Sequence, residues 1–439
     1  MFKTFINAFK IKEIRTKLFY MLLMLVIIRI GSQIPVPGTD STQLKAFFAL
    51  QTNGAFNFLD AFTGGSLSSF SILALSVSPY ITSSIIVQLL TIAIPALEEM
   101  QKDGEDGKKK LNDITRYLTI GLALFESVAM SIGFGNQGLI PEMNFWKVVV
   151  VTLCLTAGSA FLMWLGEQIT EKGIGSGISF ILLVNIVSRI PADFANLYAQ
   201  FIKGQSLALG GLAAIIIAVV VIGLIVLVLI LNGAERRIPV QYSKKMQGRK
   251  QVGGQSTHIP VKVNTAGVIP VIFASSIMSF PGIIAQFAGK TGNGEGFGSW
   301  LLNMLNANNW FNFSNISYTV GLLIYIILVV FFAYFYTSIT FNPIEVADNM
   351  KKNGGFIPGI RPGRSTSDYL TNILNRIIFI GAIGLCIVVI IPYFFNGVFG
   401  ANVSFAGTSI IIVVGVILEI VKQIESMMLV RNYKGFLND

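Results

Sequence analysis

Long apolar runs separated by short polar and basic stretches dominate this chain. Residues 212–231, LAAIIIAVVVIGLIVLVLIL, carry no charge across twenty positions, the length a helix needs to cross a hydrocarbon core of about 30 Å. Windows of this kind predict ten spans, near 18–36, 72–96, 117–135, 147–166, 176–192, 212–231, 266–287, 319–339, 374–394 and 404–424. The fifth is the weakest, being short, glycine-fronted and interrupted by Asn185 and Arg189. One such run reads equally as a core helix of a large soluble protein, but several together do not. The pattern is that of an all-α, polytopic membrane protein.

Composition agrees. Hydrophobic residues make up 53% of the 439 positions and charged ones 12%, where a soluble domain carries about 25%. The charge that remains is unevenly placed. With the N-terminus in the cytoplasm, the segments 1–17, 97–116, 167–175, 233–265, 340–376 and 421–439 hold 26 of the 32 basic residues. The bias of Lys and Arg toward cytoplasmic loops therefore puts both termini on that side. Residues 1–17 read as a retained amphipathic helix at the membrane surface, with Phe2, Phe5, Ile6 and Phe9 on one face, rather than a cleaved signal.

Ten spans divide into two sets of five, so the second set enters the membrane from the opposite side, as in an inverted repeat. A faint echo supports the division: PYITSSI at 79–85 in span two and PVIFASSI at 270–277 in span seven. Chance similarity between two Ser- and Ile-rich spans gives the same echo. The deep spans hold few ionisable groups, chiefly Arg29, Glu126, Arg189 and Glu419. A secondary transporter usually keeps such groups as coupling sites. The proline-marked spans offer isoleucine, serine and threonine instead, and an apolar constriction of that kind closes a pathway by dewetting.

Catalytic chemistry has little footing. The single histidine, His258, lies in a basic loop, and there is no HExxH, GxSxG or GxxxxGK[ST] motif. Cys154 and Cys386 sit inside apolar runs, where a small apolar role suffices. No enzyme activity, cofactor or metal is expected. Two cytoplasmic stretches are more than tethers. Residues 232–264 alternate apolar and polar positions about a glycine, as a hairpin does, and residues 341–376 carry Pro/Gly turns beside basic residues. Such loops fit topology anchoring and anionic lipid as well as docking of an RNA-rich or acidic partner.

Several blocks together resemble the SecY family, the channel-forming subunits of the bacterial protein translocase. They are IPVPG after span one, PYITSSIIVQLLT, LGEQITEKGIGSGIS, RRIPVQY, QSTHIPVKVNTAGVIPVIFASSI, FNPIEVADNMKKNGGFIPGIRPG and GTSIIIVVGVILE. The resemblance implies two inverted five-helix halves around a central hourglass pore. The N-terminal half would be 18–192, an outer hinge loop 193–211, the C-terminal half 212–427 and a cytoplasmic tail 428–439. It implies an apolar ring at the waist of Ile81, Ile85, Ile178, Leu182, Ile272 and Ile412.

It further implies a plug, a small helix within about residues 59–71, with Leu59, Phe62, Leu67 and Phe70 facing the ring and Gly64 and Gly65 helping it leave. Without the family, a membrane-surface helix fits that stretch equally well. Spans two and seven would form a lateral gate, with Gln88, Glu126 and Ser276 as polar contacts that either gate or only pack. Arg236, Arg237, Arg249, Lys250 and Arg361 would dock partners. The partners implied are the SecE and SecG small membrane subunits, the SecA motor ATPase, the ribosome, signal peptides, nascent or secretory chains and membrane lipid. The location implied is the bacterial plasma membrane, with energy supplied by a partner or the membrane potential.

Overall fold

The computed structural model describes residues 9–39, 60, 62–136, 138–141, 143–203, 207–242, 245–247, 250–252, 256–287, 296–306, 309–311, 316–399 and 407–435. The expected surface helix at 1–8, Leu59 and Arg249 lie outside them. The first half holds α1 (Lys12–Gly31), α2 (Ser78–Ala93), α3 (Pro95–Lys102), α4 (Glu105–Asn136), α5 (Phe145–Lys172) and α6 (Gly177–Phe201). The second holds α7 (Leu207–Gly233), α8 (Ile269–Phe287), α9 (Phe297–Leu305), α10 (Thr319–Thr340), α11 (Pro343–Lys352), α12 (Arg364–Phe399) and α13 (Gly407–Gly435). Among the described residues, six helices are long and apolar enough to cross a membrane, and the bent pair α2–α3 makes a seventh. Helices α1, α8 and α13 occupy the first, seventh and tenth expected spans.

Local chemistry explains the ends. Asn144 accepts a hydrogen bond from Phe145 N at 2.7 Å and opens α5. Asn342 accepts from Ile344 N at 3.1 Å and opens α11, whose first residue is Pro343. Pro95 has no N–H to continue α2 and drives Ile94 into an extended conformation, φ −115° and ψ 110°. The chain bends there by 103°.

Two expected boundaries change. Span two starts as a helix only at Ser78, because residues 64–77 form hydrogen-bonded turns. Span five runs on through Pro191 to Phe201, so the first part of the expected outer loop is helical. Pro191 removes one intrahelical hydrogen bond, and its neighbours carry the helix past it.

Two apolar cores form, one for each half. Ile14, Met24 and Ile28 of α1 meet Leu162, Leu165 and Ile169 of α5, Ile181 and Leu182 of α6, and Ile412 and Val416 of α13. Leu224 and Val228 of α7 meet Phe273 of α8, Tyr325 and Val329 of α10, Leu385 and Val389 of α12, and Ile410 and Ile411 of α13. Successive residues of α13 thus serve opposite cores and join the halves. Leu212, Ile215, Val219, Ile222, Val226 and Ile230 form an exposed apolar stripe along α7, which suits lipid as solvent.

The two long loops after α7 and α10 are joined by a β feature. Strand β1 (Glu235–Tyr242) pairs antiparallel with β4 (Ser256–Lys262) and with β5 (Gly355–Phe356), while β2 (Lys245–Gln247) and β3 (Lys250–Val252) make a separate ribbon. Ile238 and Val240, two apart on β1, point into a small core with Val261, Met350, Ile357, Leu370 and Leu374. One loop supplies the hairpin and the other its third strand.

Helices α4 and α5 are clamped together by Arg116 of α4 and Glu167 of α5. Arg116 donates from Nε and Nη2 to the two Glu167 carboxylate oxygens, at 2.6 and 2.9 Å, and from Nη1 to Asp113 at 2.9 Å. Both partners are partly solvated, which limits the worth of the pair to about 1 kcal/mol. Arg116→Ala is therefore expected to lower thermal stability slightly, and less so in high salt. A melting series in detergent at two ionic strengths checks it.

Candidate pore and plug site

The segment before span two is fixed by an acid, two arginines and an amide. Asp60 is almost wholly buried. Its Oδ1 accepts from Ser68 N at 2.8 Å and its Oδ2 lies 2.7 Å from Arg189 Nη1. Its carbonyl accepts from Gly65 N at 3.0 Å, closing a turn. Asn185 Nδ2 donates to Phe62 O at 3.1 Å and to Ser76 Oγ at 3.0 Å. Arg29 Nη1 donates to Ser188 Oγ at 2.9 Å and to Gly64 O at 3.4 Å. Asn185, Ser188 and Arg189 stand three and four residues apart and so share one face of α6.

Gly64 and Gly65 take φ of 67° and 85°, the left-handed region that glycine enters without penalty. Position 64 also has no room for a side chain: a Cβ there would come within 2.9 Å of both Cα and the carbonyl oxygen of Asn185. The two glycines therefore serve close docking as well as freedom to turn.

The expected ring residues are gathered unequally. Leu182 and Ile412 are buried in one apolar cluster with Phe62, and Ile81, Ile178 and Ile272 pack against it. Ile85 instead packs against the core of the second half. The plug expectation needs a correction. Phe62 reaches the ring cluster, but Leu67 and Phe70 do not face it. They are buried with Ala123, Met130 and Phe134 of α4 and Val151 and Leu155 of α5. The Phe70 and Phe134 rings meet edge to face, 5.3 Å between centroids. The expected short helix is also largely turns. Phe62 and Thr63 are helical, and the chain then passes through hydrogen-bonded turns, with φ positive at Phe70 and Ser76.

The three expected gate residues lie on helices α2, α4 and α8, and α4 packs against both of the others. Gln88 and Ser276 are exposed and Glu126 is half-buried, and among the described residues no hydrogen bond joins them. Helix α8 packs against α10, where Phe273 meets Phe332 edge to face at 5.4 Å, and touches α4. Arg236 on β1 and Arg361, in the turn after β5, are exposed. Arg237 is partly neutralised by Glu235, 2.8 Å away. Lys250 lies in β3.

The sequence reading missed the polar cradle of the plug as a unit. Its signal was present: Asn185 and Arg189 made span five the weakest window, and Arg29 stood out as a charge in span one. Asp60, their partner, is 129 residues from Arg189, and no local pattern joins them.

Helices long and apolar enough to span a membrane, two large apolar cores and a turn-rich segment whose Phe62 joins one of them define a polytopic membrane protein. The SecY family model matches residues 71–421, and the chain belongs to the SecY family. It is 44% identical to the protein translocase subunit SecY of Halalkalibacterium halodurans, covering all of both chains. Its fold matches two solved structures. One is a study of how the plug domain of the SecY protein stabilises the closed state of the translocation channel and maintains a membrane seal (TM-score 0.63, 18% identity, 96% of each chain). The other is Sec61 in a canine ribosome–channel complex from the endoplasmic reticulum (TM-score 0.59, 18% identity, 96% of each chain).

Proposed function

We propose that this chain is the pore of a bacterial protein translocase, passing unfolded secretory chains across the plasma membrane and releasing apolar segments sideways between α2 and α8. The observation that carries the reading is the seat of Phe62 on the cluster of Leu182 and Ile412, with Ile81, Ile178 and Ile272 around it. A waist with no fixed charge and a removable cover suits cargo of varied chemistry, because nothing in it binds one solute. The cytoplasmic faces would meet SecA or the ribosome, SecE and SecG would flank the bundle, and the energy would come from those partners or the membrane potential. Both termini would lie in the cytoplasm.

A photo-crosslinker at position 272, with a secretory chain arrested midway, tests the reading. Crosslinks that require the arrested chain support it. Their absence, with the chain demonstrably engaged, moves the pore elsewhere.

Docking to rRNA would make ribosome affinity fall with salt, since basic side chains release counterions from phosphates. Arg236→Glu and Arg361→Glu are each expected to reduce the slope of log affinity against log salt by about 1. Arg237→Glu is expected to do less, because Glu235 already offsets that charge. Co-sedimentation of ribosomes with the reconstituted channel across a salt series measures this.

A further inference from the structure

We propose that Asp60 and residues 62–65 of the plug leave the pore, that residues 66–77 stay behind as a fixed collar, and that the Asp60–Arg189 ion pair is the latch that keeps the channel shut. This rests on the pore reading above and concerns how the plug is held and released.

The two parts are held by different physics. The collar is an apolar insertion. Leu67, Phe70, Ala74 and Leu75 are buried against α4 and α5. Its backbone is tied to the end of span one by Ile72 N to Ile34 O at 2.9 Å and Val36 N to Phe70 O at 3.0 Å. Ser159 Oγ donates to Ser76 O at 3.3 Å from the other side. Withdrawing it would open a core and break backbone pairing on two sides, so it is poorly suited to rapid release.

Asp60 and residues 62–65 are held mainly by polar groups, those on one face of α6 and Arg29, and also by the collar's Leu67 N and Ser68 N, whose bonds to Thr63 Oγ1 and Asp60 Oδ1 release must break. Gly64 and Gly65, both left-handed, fall between the two parts. Backbone rotation there moves one part and leaves the other in place. The latch is also incompletely satisfied, since among the described residues Arg189 Nε has no acceptor. A pair whose carboxylate is buried adds little net stability, yet removing the arginine strands that charge. That asymmetry suits a closed state that must hold at rest and still open. Asp60 supplies the carboxylate that meets Arg189, with Arg29 alongside, and a second buried carboxylate, Asp193, stands one turn further along α6.

The test measures resting ion current through the full reconstituted translocase in planar bilayers. Asp60→Asn is expected to raise it about tenfold or more. Exchanging the charges, Asp60→Arg with Arg189→Asp, is expected to recover most of the seal, which a merely misfolded single variant would not do. In a background with Cys154 and Cys386 replaced by alanine, a short thiol crosslinker between Asp60→Cys and Arg189→Cys should block translocation. The same crosslinker between Phe70→Cys and Phe134→Cys should leave translocation running. Block at the second pair overturns the fixed collar. An unchanged current for Asp60→Asn, when Ile272→Asn leaks, overturns the latch and leaves the pore reading standing. Silence from both variants overturns the pore reading and the latch with it.

Discussion

Replacing Gly158 with alanine is expected to destabilise the folded channel by about 3 kcal/mol, seen as a fall of about 5 °C in its melting temperature in detergent. Gly158 lies mid-way along α5, and a Cβ there would overlap the carbonyl oxygen of Ile72 and press on its Cγ2 at 3.0 Å. Neither side can give way cheaply. Ile72 is pinned by its own N–H to Ile34 O, and Gly158 sits inside a continuous helix. The obstacle is backbone rather than a flexible side chain, so relief requires a shift of the collar or of α5. Gly121→Ala in α4 is the matched control. Nothing lies within 4 Å of a Cβ built there, and alanine in a helix interior is favoured over glycine by about 0.5–1 kcal/mol. The two variants are thus expected to move the melting temperature in opposite directions. A loss of similar size in both would mean that α5 does not seat on the collar as closely as the structure has it.

The collar also marks the limit of what the sequence discloses. Apolar windows locate the spans because burial in lipid is a property of composition summed over about twenty residues. Such a sum cannot see that residues 71–77 are turns. Those turns carry Leu73, Ala74, Leu75 and Val77, all buried, rather than the Gly, Asn and Asp that mark a turn at the surface. Their backbone is held by partners far along the chain: Ile34, Ser159 and, through Ser76 Oγ, Asn185. Pro95 breaks its helix where its effect is local, whereas at Pro191 the flanking helix carries past it. The facing of Leu67 and Phe70 was misjudged for a related reason. The resemblance groups them with Phe62, but two left-handed glycines lie between and turn the later residues toward Phe134. The expected waist residues come from family motifs, and periodicity alone does not select them.

A single amide at the waist is expected to have the larger functional effect. Ile272→Asn should raise the ion permeability of the resting channel, and Ile412→Asn should do the same, while Ile85→Asn should do so less. Ile272 packs on the cluster that surrounds Leu182, Ile412 and Phe62, whereas Ile85 packs on the core of the second half. A constriction lined by branched aliphatic side chains stays dry because water gains no hydrogen bond there. An amide without a protein partner offers water about 1–3 kcal/mol, which raises the wetted fraction by about ten- to a hundredfold. The same substitution removes a buried aliphatic contact, so Ile272→Ala is needed as a comparison. Alanine enlarges the waist without inviting water, and its leak should be the smaller of the two. Conductance in planar bilayers, with the polar and the small variant side by side, separates wetting from widening. Equal leaks from Ile272→Asn and Ile272→Ala would show that the seal is steric, made by the plug filling the gap. A leak confined to asparagine would show that the waist itself holds back ions by refusing water, with Phe62 as its cover.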